Sequence, residues 1–149
     1  MTAKDLTILN RILVRHLSSL LQYIPLAQSW VPPEQTAIME RLERLIEEDS
    51  EVCKSLSNEI IQNKGVPAPV HFSPAFSSSH YMALEAYLRW LVPYYRWMVA
   101  EDEKDLALLE DDAARQAARP VIELTRKHLD ELEKLQAEAS RSPAHATVR

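Results

Sequence analysis

The stretch 9–23, LNRILVRHLSSLLQY, carries Leu9, Leu13, His16, Leu20 and Tyr23 at alternating four- and three-residue steps. Those steps put all five side chains on one seam of an α-helix. The stepping recurs at Ile38, Leu42, Leu45, Asp49, Val52 and Leu56, and again at Val121, Leu124/Thr125, His128, Leu132 and Leu135. A further apolar side runs through Tyr81, Leu84, Leu88, Leu91, Tyr95, Met98 and Val99. Helices with one apolar side hide it by packing against each other. Sheets and hairpins need tight turns that favour glycine, and this chain holds one glycine in 149 residues. The prediction is an all-α, up-down four-helix bundle.

Local signals set the expected boundaries. Thr2 followed by Asp5 fits an N-cap with its acidic partner, starting a first helix near Ala3. That helix is expected to run towards Gln28, with Pro25 giving its last turns a kink or a 3₁₀ ending. A second helix is expected over 33–63, closed by Lys64-Gly65 with Gly65 in the left-handed conformation and Pro67 stopping further growth. Residues 66–78, VPAPVHFSPAFSS, form one long connection with Phe72 and Phe76 packed down. A third helix over 80–110, capped by Ser78 or Ser79, carries Pro93 as a kink. A fourth, capped at Asp112, runs to about Ala139, kinked or split at Pro120. The bundle thus spans 1–138, and the stretch 139–149 reads as a disordered tail.

Net charge is −5 with both signs interspersed, which offers no footprint for nucleic acid or an anionic membrane. Outside the loops the longest uncharged run is about a dozen residues, short of the ~20 of a membrane span. The N-terminal MTAKDLTILN lacks the order of a signal peptide, so a soluble, cytoplasmic protein is expected. The single cysteine, Cys53, is expected to exclude an internal disulfide and any cysteine-based zinc site, and reads as a small packed side chain.

The opening LN…QY pattern, the long connection between second and third helices, and the Gly65-Val66-Pro67 that ends the second helix together resemble ferritin-like proteins of the bacterioferritin type. The resemblance covers roughly residues 5–138. It implies a di-iron centre built at mid-bundle from a glutamate on each of two helices and a Glu-x-x-His pair on each of the others. Under the resemblance, these positions fall on His16, on Asp49 and Val52, on Leu88 or Leu91, and on Thr125 and His128. Only His128 keeps its type, and Asp49 keeps a shorter carboxylate. Ferroxidase activity is therefore not expected here.

Besides a different register that leaves the histidines exposed, two alternatives stay open for the polar residues left in the seams. One is a buried hydrogen-bonded network of His16, Asp49, Thr125 and His128, with Tyr23 and Tyr95 nearby. The other is a single divalent iron, manganese or zinc ion held by His16, Asp49 and His128. Trp90, Tyr94 and Trp97 lie off the third-helix seam and suggest a helix-face interface, most simply of a homodimer. The reading is a structural or interaction module without a bound cofactor. An enzyme or metal-handling protein using the mononuclear site is the alternative.

Overall fold

The computed structural model describes residues 1–141. Its helices are α1 (Ala3–Leu17), the single turn α2 (Ile24–Ala27), α3 (Thr36–Gln62), α4 (Leu84–Leu108) and α5 (Asp112–Ser140). Short 3₁₀ segments at Pro33–Gln35 and Pro74–Ser79 lie before α3 and α4. Among the described residues, the one strand-like pairing is an isolated bridge between Trp30 and Ala83. No described helix is long and apolar enough to cross a membrane.

The capping box at Thr2 and Asp5 forms as expected. Asp5 also accepts the Glu110 N–H at 2.9 Å, so the start of α1 is pinned to the α4–α5 turn. α1 ends earlier than its apolar pattern, at Leu17. There Ser18 and Ser19 turn their hydroxyls to backbone N–H groups of His71 and Gln22, a local competitor to helix bonding. Pro25 consequently sits in the first turn of α2, where no N–H is needed, rather than kinking a long helix.

The end of α3 corrects one expectation. Lys64, with φ 64°, takes the left-handed conformation, and Gly65 does not. Gly65 is required by space instead: a Cβ there would lie 2.8 Å from Ile60 Cγ2 and 3.2 Å from Leu6 Cδ2.

α4 begins at Leu84, not near His80, because Trp30 clamps its entry: Trp30 N–H donates to Met82 O and Leu84 N–H donates to Trp30 O. Pro93 and Pro120 are exposed inside continuous helices. The carbonyls they leave unbonded belong to the exposed Arg89 and Gln116. Asp111, not Asp112, caps α5, and the helix continues to Ser140. The expected tail from 142 onwards lies outside the described residues.

The connection between α3 and α4 climbs along α1. Ala68 N–H bonds Asn10, His71 N–H bonds Ser18, and Tyr81 N–H bonds Ala27 O. Having returned to the far end, the chain descends again, so α3 and α4 are parallel and α1 and α5 run against them, an up-down-down-up order where a plain up-down order was expected. α1 packs chiefly beside α3 and touches α4 and α5 alike, and α5 packs beside α4 and α3. The apolar core is divided. One cluster holds Leu20, Leu42, Leu88, Tyr95 and Leu132, and the other holds Leu13, Cys53, Leu56, Leu109 and Val121. Between them lies a single polar layer.

Candidate functional site

Each long helix sends polar side chains into that layer. α1 supplies His16, α3 Asp49, α4 Asp102 and Asp105, and α5 Thr125 and His128, all buried. His16 is the centre. Its Nδ1 lies 2.9 Å from Asp49 Oδ1 and its Nε2 lies 2.7 Å from Asp102 Oδ2. With an acceptor at each ring nitrogen, the metal-free ring carries both protons and is a cation. Burial alone would strip that proton, but the hydrogen bonds to Asp102 and Asp49 outweigh it and raise the His16 pKa to about 9.

Neighbouring groups continue the chain of charges. Arg15 donates to Asp102 at 2.7 Å and to Asp105 at 2.6 Å, and Arg11 donates to Asp105. Burial opposes ionisation of Asp105, but the hydrogen bonds from Arg11 and Arg15 hold it below the usual carboxylate range. Three cations, His16, Arg15 and Arg11, thus face three carboxylates, Asp49, Asp102 and Asp105. Charge balance is what makes such burial tolerable. Gln22 holds the second Asp49 oxygen at 2.9 Å. Thr125 donates to Val121 O at 2.6 Å, the back-bond within its own helix, and its oxygen stands 3.2 Å from His16 Nε2 and from Asp102 Oδ2.

The other residues expected in one network divide. His128 turns Nε2 towards Glu48 at 3.1 Å, on the outer side of α3, while its buried Nδ1 has no partner among the described residues. Burial holds its pKa below that of a free imidazole, against the pull of Glu48. Tyr23 lies elsewhere, its hydroxyl 2.6 Å from His80 Nε2 and its ring against Phe72 and Phe76. Tyr95 packs in the apolar cluster with Leu88 and Leu132, and its hydroxyl is buried without a hydrogen-bond partner among the described residues.

The mononuclear set His16, Asp49 and His128 is not assembled. The group whose donor atoms come together is His16, Asp49 and Cys53, all within 4.8 Å of one another. Cys53 replaces Val52 on the inner face: Cys53 is buried and Val52 half-buried. Its thiol pKa is pushed up by burial, then by the charges of Asp49 and Asp102.

A di-iron centre does not fit. Leu88 and Leu91, the third-helix candidates, belong to the upper apolar cluster, and the α4 residue level with His16 is Asp102. Two carboxylates meet the ring, both bound by it, where two bridged irons need several free ones. Asp102 was discoverable: the seam Leu88, Leu91, Tyr95, Met98 continues in the same steps to Asp102, Asp105 and Leu109.

The aromatic stripe on α4 is partly covered from within. Phe76 packs edge-on against Trp90 at 6.1 Å and Tyr94 at 5.7 Å. Trp97 keeps 50% of its surface exposed, with the Arg15 guanidinium 6.0 Å from its ring centroid. Comparison of the chain with protein-family models, curated proteins and solved structures finds no match.

Proposed function

We propose that this chain is a ferritin-like bundle whose di-iron centre has been lost, leaving a structural or protein-interaction module without ferroxidase activity. The observation that carries the reading is His16: one side chain engages a carboxylate from α3 with one nitrogen and a carboxylate from α4 with the other. In a di-iron bundle those inward carboxylates would be spent on metal. Supporting it is the path of the chain, two helical hairpins joined by one long connection that returns the length of the bundle, as ferritin-like bundles have.

Self-association belongs to the same reading, with Trp97 as its anchor because Trp90 and Tyr94 are already covered by Phe76. Cytoplasmic residence is part of the proposal as well.

Protein purified without an affinity tag should contain well under one iron per chain and should not oxidise ferrous iron faster than buffer alone. Two irons per chain would overturn the reading. Sedimentation at micromolar concentration should give twice the 17.1 kDa chain mass, and Trp97→Ala should return it to monomer.

A further inference from the structure

We propose that His16 Nδ1, Asp49 Oδ1 and Cys53 Sγ form a site for one zinc-class divalent ion. This goes beyond the loss of the iron centre, and its test reads a different metal.

One ring nitrogen of His16, one carboxylate oxygen of Asp49 and Cys53 Sγ lie within 4.8 Å of one another, and Nδ1 is the ring nitrogen that already faces Asp49. Zinc bonds of about 2.0–2.3 Å put tetrahedral ligands roughly 3.5 Å apart, so small side-chain rotations close the site. Asp49 and Cys53 are one turn apart on α3 and share a face, and His16 meets them from α1. Imidazole, thiolate and a single carboxylate suit zinc or cobalt far better than a pair of carboxylate-bridged irons.

The supporting shell is already built. A metal-bound histidine commonly gives its other ring N–H to a carboxylate, and here Asp102 Oδ2 receives His16 Nε2 at 2.7 Å. Gln22 fixes the remaining Asp49 oxygen at 2.9 Å. The Tyr95 hydroxyl points to an unused fourth partner. It is fully buried and unpartnered among the described residues, and the charges of Asp49 and Asp102 act on it.

Charge argues the same way. When the ion enters, the proton on His16 Nδ1 and the thiol proton of Cys53 leave to solvent. Two positive charges replace two, so the buried layer stays balanced with Arg15 and Arg11 on Asp102 and Asp105. The 2.9 Å gap between His16 Nδ1 and Asp49 Oδ1 is a proton's place in one state and a metal's edge in the other.

The test is to refold the untagged protein with one equivalent of cobalt(II), so that entry into the core sets no limit. Cys53 is the only cysteine, so a near-ultraviolet thiolate-to-cobalt band can come from nowhere else. The expected result is that band at one cobalt per chain, its loss on adding zinc, and a higher Tm with zinc than with chelator. Cys53→Ser should lack the band, and Asp102→Asn should bind cobalt about 10–100-fold more weakly. No band in the wild type would overturn the proposal, as would equal cobalt affinity in Cys53→Ser. If Cys53→Ser does not fold, the wild-type band alone decides. Two irons per chain in the purified protein would instead defeat the preceding reading.

Discussion

His16 and His128 are equally hidden, each with 1% of its side chain exposed, yet they settle in opposite protonation states. Burial disfavours the charged ring in both. At His16, two buried carboxylates hold the ring at both nitrogens and reverse the effect. At His128, one half-exposed glutamate at one nitrogen does not. The lesson is that depth does not decide charge in this core. Partners do, and they are shared out unequally between the two histidines.

The strongest way to break this contrast is His16→Leu. It leaves Asp49 and Asp102 without their common cation, and breaking a buried ion pair from one side costs roughly 3–5 kcal/mol. Denaturant unfolding of the metal-free protein measures it, and a loss under ~1 kcal/mol would mean the two aspartates find other partners.

Next comes pH. The folded His16 pKa of about 9 lies above the ordinary 6.5, so its contribution is complete below pH 6.5 and disappears as pH rises through 9. That contribution is about 3 kcal/mol. Unfolding midpoints of metal-free protein between pH 6 and 10 should fall accordingly, and the fall should be absent in His16→Leu. For His128 the sign is opposite, since a lowered folded pKa costs stability as the medium is acidified below 6.5.

The smallest effect is His128→Leu. It removes an imidazole with an unpartnered Nδ1 and frees a glutamate already 40% exposed, so the change should stay within ~1 kcal/mol. A loss as large as that of His16→Leu would abolish the distinction between the two sites.

Much of the layer was legible because its members interrupt apolar seams. His16, Asp49, Thr125 and His128 all stand where a regular helix puts core residues, and all four are buried. Asp102 was harder. It continues the α4 seam, but it sits in EDEKD, a run that reads as a solvated face. Its depth follows from where α4 begins. The connection carries the chain back along α1, so Leu84 starts at the far end and the level of His16 is reached only at Asp102. Tyr23 failed as a network member for a related reason: α1 ends at Leu17, and the turn beyond it swings Tyr23 into the aromatic cluster with Phe72 and Phe76.

The sequence by itself determined the helical class, the capped start of α1 and the polar positions within the seams, since each follows from spacings of a few residues and from one glycine in 149. Only the tertiary structure decided which polar groups meet. His16 finds Asp49 across 33 residues and Asp102 across 86, and Cys53 rather than His128 completes the close group of donors. Helical periodicity states which face a residue occupies. The height at which two helices cross depends on how the whole connection between them packs, and no local pattern carries that information.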